Sequence, residues 1–356
     1  MKVQAPGRIC LFGEHQDYLG LSIIAQAIDR VFIIESKAIS QKKLILKMPD
    51  IGKTEEILLQ FPLSYQNNRD YLRAGLNIFE RTGFKLQSGF EFTLTSTIPF
   101  QAGCSSSSAM CVAWSKTLAE LTNHPQKNNR EWIAKTAFQM EVAEFEEAGG
   151  MMDHYTSSFG GTIFIDFEDT HNPQYEILNV ELTGLLLGDS LQKKETVETI
   201  RSHKALCLSA LKKLQKKSSQ FTFQNLILKD CEKYSSILLP EELNRIKATL
   251  INRNVCREAY QVLKSVHIHF ERVAELLNIQ HQTINDLMNL STPTINHLLQ
   301  TSFKAGALSG KVNGSGGGGT FIIYAPHKEE SVLLELKKQG AQAFKIKSSP
   351  GVSVVK

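Results

Sequence analysis

The sequence predicts an α+β protein in two domains. Three observations carry that prediction. The chain has 356 residues, more than one core comfortably holds, since single cores stop growing at roughly 250–300 residues. Its first half mixes strand and helix patterns, whereas residues 195–305 read as almost continuous helix. The tail returns to strand, helix, strand. The expected division is residues 1–190 and residues 191–356.

The elements follow in order. Residues 3–12 and 23–35, rich in Ile, Val and Phe, read as strands around a polar loop at 13–20. Residues 69–82 place Tyr71, Leu72, Gly75, Leu76 and Phe79 on one helical face, and Gly83 stops the helix. Residues 90–97 alternate Phe-x-Phe-x-Leu and end at Pro99, a strand entering a loop. From 105 to 121 the pattern is helical, so the serine-rich segment between is a strand–loop–helix junction. A further helix spans 132–147, is broken by Gly149-Gly150, and precedes a short helix at 151–159. Strands follow at 162–167 and 182–187. After the helical stretch come a strand beyond Lys311, a helix at 329–339 and a strand at 343–347.

Composition narrows the class. Hydrophobic residues at 42% and charged residues at 21% are ordinary for a globular chain. A net charge of +4 is too near balance to advertise nucleic acid or anionic membrane as a partner. No apolar run approaches the ~18–20 residues of a membrane span, and the N-terminus moves straight into a structured motif. The six cysteines, at 10, 104, 111, 207, 231 and 256, include no C-x-x-C pair. They suit free thiols in a reducing, cytoplasmic setting.

Three glycine- or serine-rich loops carry the chemistry: A-P-G-R-I-C-L-F-G-E-H-Q-D-Y-L-G at 5–20, P-F-Q-A-G-C-S-S-S-S-A at 99–109 and K-V-N-G-S-G-G-G-G at 311–319. The second runs into a helix N-terminus, where exposed N–H groups and the helix dipole attract phosphate. Small side chains let backbone wrap a triphosphate, and a hydroxyl can ligate Mg²⁺. Alone, this loop is equally the signature of a serine-rich helix cap. The absence of G-x-x-x-x-G-K-[ST] excludes a P-loop fold. In the third motif, the glycine run lies between Lys311-Val312 and the apolar strand at 321–324, so it reads as a loop in close contact rather than a linker. No helix opens after it, which excludes a dinucleotide fingerprint.

Two acidic residues stand out. Asp153 follows Gly149-Gly150-Met151-Met152 at a helix start, where a helix-capping role competes with catalysis. Glu141 lies in a glutamate-rich helix, where exposure to solvent is the plain alternative. Phosphoryl transfer needs a carboxylate to orient or deprotonate its acceptor, and Mg²⁺ needs carboxylate oxygen beside phosphate. Glu14, His15 and Asp17, packed into one loop, can hydrogen-bond adjacent hydroxyls of a polyol, or form a solvated turn. Zinc lacks a second clustered histidine or a cysteine at suitable spacing.

Together these residues resemble the GHMP small-molecule kinases along nearly the whole chain. Within that family, Gly13-Glu14-His15-Gln16-Asp17-Tyr18 and Gly150-Met151-Met152-Asp153-His154 are most similar to galactokinase motifs. The Leu11-Phe12-Gly13-Glu14-His15 run is mevalonate-kinase-like. The resemblance implies a ribosomal-protein-S5-like N-terminal half, a ferredoxin-like C-terminal half, and ATP with Mg²⁺ as cofactors. It implies Asp153 as the catalytic carboxylate with Arg8 beside it, and Ser107 and Glu141 as metal ligands. Glu14, His15, Asp17, Tyr18 and Gly150 would bind the acceptor. Gly103, Ser105, Ser106, Ser107 and Ser108 would cradle ATP, and Gly314, Gly316 and Gly317 would close over it.

The expected reaction is transfer to the anomeric hydroxyl of a monosaccharide, with no nucleic acid or membrane partner and a monomer or weak homodimer. Arabinose, a hexuronic acid or mevalonate are the alternative acceptors, and a catalytically silent sugar/ATP regulator is the alternative class. Four positions depart from the galactokinase pattern: Cys10 for Asn, Cys104 for Leu, Ser108 for Ala and Asn313 for Thr or Ser.

Overall fold

The computed structural model describes residues 1–99, 103–193 and 196–355. Phe100, Gln101 and Ala102 of the second motif, and Glu195, where the helical stretch is expected to open, lie outside the described residues.

The N-terminal sheet is built on β1 (Lys2–Phe12) and β2 (Ile23–Ile39), antiparallel neighbours with register shifts between Pro6 and Arg8 and between Cys10 and Phe12. A hairpin of β3 (Lys43–Met48) and β4 (Lys53–Leu58) turns at Pro49–Ile51. Helix α1 (Tyr71–Arg81) then leads to β5 (Gly89–Ser96), which lies between β2 and β3 and runs parallel to β3. Asp70 caps α1 by accepting from the amide of Arg73.

Helices α2 (Ser106–Leu121), α3 (Arg130–Glu141) and α4 (Met152–Phe159) cover this sheet. Trp114 of α2 is fully buried against Phe92 of β5, with its ring edge-on, and donates its indole N–H to the carbonyl of Leu72. Strand β6 (Thr162–Asp166) pairs with the first part of β2, and β7 (Gln174–Leu178) pairs with β6.

The second sheet opens with β8 (Leu185–Asp189). Helices α5 (Thr196–Gln215), α6 (Leu228–Lys233), α7 (Pro240–Lys264), α8 (Phe270–Asp286) and α9 (Pro293–Lys304) intervene before β9 (Ser309–Val312) and β10 (Thr320–Tyr324). Helix α10 (Glu329–Lys338) and β11 (Gln342–Lys345) complete the sheet, whose spatial order is β11-β8-β10-β9, antiparallel throughout. Strand, helices, two strands, helix, strand is the ferredoxin-like order, as expected.

Three details differ from the sequence expectation. The division at residue 190 separates β8 from the sheet it opens, and the final strand β12 (Ser353–Val355) returns to pair with β1 in the first sheet. The helix expected over 132–147 ends at Glu141, followed by a 3-10 turn at Ala143–Phe145 and a left-handed Glu146. Glu144 and Glu147 are held across space by Arg81 and Arg69, at 2.6 and 2.5 Å, which draws this segment off the helix axis. The strand expected at 182–187 begins at Leu185.

One apolar core joins the halves: Ile9, Leu11 and Phe12 of β1 pack with Leu187 of β8, Ile322 of β10 and Leu276 and Leu277 of α8. No helix among the described residues is long and apolar enough to cross a membrane.

Candidate active site

The three motif loops converge on one cleft of about 680 Å³, a size suited to small-molecule ligands. Arg8, Asp17, Gly103, Ser107, Glu141, Asp153 and Gly314 all line it.

At its centre, Arg8 grips Asp153 with both arms of its fork: Nε donates to Oδ1 at 2.7 Å and Nη2 to Oδ2 at 2.9 Å. Its Nη1 donates to the carbonyl of Gly103 at 2.6 Å. Ser105 donates its hydroxyl to Asp153 Oδ2 at 2.5 Å. Burial works against the Asp153 charge, but the charge and hydrogen bonds of Arg8, with Ser105, outweigh it and hold the carboxyl below its usual range. Asp153 lies in the first turn of α4 and is not its cap, because Met151 holds that position.

Glu141 closes α3. It is not solvent-exposed, as a charged helical residue would ordinarily be, but buried against His154, whose Nε2 lies 2.8 Å from its Oε2. Burial raises its pKa. The hydrogen bond and charge of His154 and the hydroxyls of Ser107 and Ser108 oppose this and hold it below the ordinary value. A buried carboxylate beside serine hydroxyls, opening on a helix N-terminus, is a hard-oxygen donor set of the kind Mg²⁺ takes together with phosphate oxygens. The residues fit that ion. No cluster of three or more His, Cys, Asp or Glu suited to a softer or fully protein-held metal occurs among the described residues.

The first motif divides its labour. Asp17 lines the cleft, accepts from the amide of Met152 at 3.2 Å, and lies against Gly150, where an added Cβ would come within 2.2 Å of Oδ2. Burial, with the nearby charge of Asp153, pushes its carboxyl up to about 6.

Glu14 is 1% exposed. It receives an ion pair from the buried Lys311 and a hydrogen bond from Gln280 Nε2 at 2.8 Å. His15 has one ring nitrogen 2.6 Å from the Tyr18 hydroxyl and the other 3.2 Å from the carbonyl of Ser315. Since a carbonyl only accepts, Nε2 carries a proton, and in the neutral ring Nδ1 accepts from Tyr18. Glu14 and His15 thus brace the loop, and both line the cleft together with Asp17, Tyr18 and Gly150.

The second motif supplies Ser106, Ser107 and Ser108 at the start of α2, whose first-turn amides lack intrahelical partners. Ser105, in a left-handed conformation, is directed to Asp153. In the third motif, Gly314 and Ser315 reach the cleft. Gly316 and Gly317 do not line it: a Cβ on Gly316 would meet the carbonyl of Leu290 at 2.4 Å, and the amide of Gly317 donates to that carbonyl at 2.8 Å. The glycine run is a close-packed loop, held on its far side by residues 192–193.

Sequence reasoning missed Lys311, Gln280 and His154. A lone lysine in an otherwise uncharged four-residue strand beside the glycine run was the signal for the first. Gln280 and His154 gave none that could be separated from their surroundings. Arg69, Tyr71 and Val142 also line the cleft.

Sequence models of known families match in the expected order. The galactokinase galactose-binding signature matches residues 2–36, the GHMP kinases N terminal domain matches 70–161 and the GHMP kinases C terminal domain matches 262–342. This chain belongs to the GHMP kinase family.

Relatives in the family extend over the full chain. Galactokinase of Thermotoga maritima is 29% identical, covering 100% of each chain. Mevalonate kinase of Pyrococcus furiosus is 28% identical, over 96% of this chain and 94% of its own. Among solved structures, Lactococcus lactis galactokinase complexed with galactose superposes with a TM-score of 0.87 at 21% identity, over 99% of this chain and 95% of that one. Methanococcus jannaschii mevalonate kinase gives 0.74 at 20% identity, over 98% of both chains. These structural likenesses establish the two-domain GHMP kinase fold.

Proposed function

We propose that this protein is an ATP-dependent sugar kinase that phosphorylates the anomeric hydroxyl of galactose or a close relative, giving a sugar 1-phosphate and ADP. The observation that carries the proposal is the position of Asp17, a cleft-facing carboxylate beside Asp153, within the segment that matches the galactose-binding signature.

A carboxylate there recognises hydroxyls. It repels an anionic acceptor, and the cation whose charge acts on it, Arg8, is already committed to Asp153. That charge arrangement favours a neutral sugar over mevalonate or a hexuronic acid. The 28% identity to a mevalonate kinase keeps mevalonate as the second reading.

Ser107 and Glu141 would hold Mg²⁺, and the amides at the start of α2 would receive the phosphates. When bound, Mg·ATP supplies the phosphoryl group and neutralises charge on the transferring oxygens. Asp153 Oδ2 already accepts from Arg8 and Ser105, so Oδ1, with one bond from Arg8, has the lone pair for the acceptor hydroxyl. As the acceptor oxygen bonds to the γ-phosphorus and the bond to ADP breaks, the hydroxyl proton passes to Oδ1. Arg8 keeps Asp153 ionised until then and stabilises the charge that develops.

The test is ADP release across a panel of galactose, arabinose, galacturonate and mevalonate. Sites built around hydroxyls reject analogues lacking them by about 10⁴-fold or more. Galactose or a neutral relative is expected to dominate. Mevalonate turnover without sugar turnover would overturn the proposal, and sugar and ATP binding without any ADP would identify a regulator.

A further inference from the structure

Asn313 stands directly after β9, is 0% exposed, and touches all three motif loops at once. Its Oδ1 accepts from the amide of Cys10 at 2.9 Å, at the register shift in β1 where the strand ladder is interrupted. Its Nδ2 donates to the carbonyl of Gly103 at 3.1 Å and to the hydroxyl of Thr320 at 3.1 Å. The Gly103 carbonyl also accepts from Arg8 Nη1. Both of its lone pairs are therefore used, one by the third motif and one by the first.

We infer that Asn313 is a positioning residue for phosphoryl transfer, fixing the Gly103 carbonyl and through it the Arg8 guanidinium and the Asp153 carboxylate. This rests on the kinase reading of the cleft.

The argument is geometric. Apart from Gly103, the guanidinium is fixed by Asp153 itself, and two mutually bonded side chains can swing as a pair. The Gly103 carbonyl is the external anchor that stops this. That anchor sits in a loop where Gly103 and Ser105 both have left-handed backbones, φ +92° and +59°, so the loop needs a tie from outside to hold one shape. Asn313 is that tie. Its task calls for one acceptor and two donors in a plane, which a carboxamide supplies and a hydroxyl does not. The same side chain links the phosphate loop to the glycine loop, so its loss would loosen both against β1.

The test compares Asn313→Ala with Thr320→Val. The second variant removes the Thr320 hydroxyl and leaves the Nδ2 bonds to the Gly103 carbonyl and, at 3.6 Å, to Cys104 Sγ in place, so it reports the purely structural share. The first readout needs no acceptor: hydrogen exchange of the Arg8 Nε–H, followed by ¹⁵N NMR. Exchange should quicken several-fold in Asn313→Ala and stay as in the parent protein in Thr320→Val.

The second readout uses the acceptor identified by the panel. Asn313→Ala should lose about tenfold in kcat, a modest case of misplaced catalytic geometry, with acceptor KM within twofold. Should Asn313→Ala fail to fold, Asn313→Ser, which keeps one donor, takes its place. Unchanged Arg8 exchange in the Asn313 variant, or an equal change in Thr320→Val, would overturn the inference. Altered exchange with no turnover on any panel member would instead overturn the kinase proposal and leave the positioning role standing.

Discussion

The Asp17 carboxylate occupies the space that a side chain on residue 150 would need: a Cβ added to Gly150 would lie 2.2 Å from Asp17 Oδ2 and 2.3 Å from its Cγ. The backbone before α4 and the first-motif loop are thus fitted to one another at the level of a single methyl group. Gly150→Ala should push Asp17 aside or shift the turn that presents Met152. Losing a charged hydrogen bond to a hydroxyl costs about 1.5–3 kcal/mol, so acceptor KM should rise roughly tenfold or more, with nucleotide KM nearly unchanged. Steady-state kinetics on the identified acceptor would check this, and an unaltered acceptor KM would count against Asp17 as an acceptor ligand.

The same carboxyl sets a pH dependence. With its pKa pushed up to about 6 by burial and by Asp153, Asp17 is partly protonated at mildly acid pH and ionised above. An ionised group is the better acceptor for sugar hydroxyls, so acceptor KM should fall as pH rises through about 6 and level off above 7.

For stability the sign is opposite. A folded pKa above the unfolded one favours the folded state most at low pH, and this contribution fades between about 4 and 6. Ionised, buried Asp17 thus costs the empty protein of the order of 2–3 kcal/mol at neutral pH. Asp17→Asn should flatten the KM profile and raise Tm at pH 7.5. A KM inflection that persists in Asp17→Asn would assign it to another group.

The motif loops and their order were legible because short local patterns carry them, whereas the pairing of Arg8 with Asp153, 145 residues apart, came only through the family resemblance. Other features depend on partners far along the chain. Glu141 looks like an exposed helical glutamate until α4 brings His154 against it, and Glu144 and Glu147 leave the helix because Arg81 and Arg69 hold them. Ser105 reads as one of four equivalent serines, yet its left-handed backbone turns it toward Asp153 rather than along the phosphate loop. The β3–β4 hairpin has a local signal, the apolar Leu44-Ile45-Leu46 between lysines followed by the turn residues Pro49 and Gly52. The three-residue β12 had none, because its partner β1 lies at the opposite end of the chain.

Asp153→Asn should lower kcat by about 10²-fold or more, the usual scale for a general base, while nucleotide affinity changes little. Asparagine is chosen over alanine because it leaves the buried Arg8 a hydrogen-bond acceptor; an unpaired buried guanidinium would confound turnover with unfolding. Ser105→Ala provides the companion measurement. Its hydroxyl bonds Asp153, so the loss should appear in kcat, several-fold, and leave nucleotide KM alone. A rise in nucleotide KM without loss of kcat would return Ser105 to the phosphate loop. Near-normal turnover in Asp153→Asn would refute the proton transfer assigned to it.

The buried pair of Lys311 and Glu14 gives the last prediction. Both side chains are at most 1% exposed, and Lys311 Nζ also donates to the carbonyl of Cys10 at 3.0 Å. The pair joins β9 of the second sheet to the first-motif loop and the end of β1, so it braces that loop across the two sheets. Removing one partner strands an uncompensated buried charge, and broken buried pairs typically cost about 3–5 kcal/mol. Lys311→Met should therefore lower Tm sharply, and Glu14→Gln less, since glutamine still offers Lys311 a carbonyl oxygen. The double variant, Lys311→Met with Glu14→Gln, buries no net charge and should recover much of the lost stability, as a thermal-melt double-mutant cycle would show. Additive losses in that cycle would mean that the two charges do not stabilise one another.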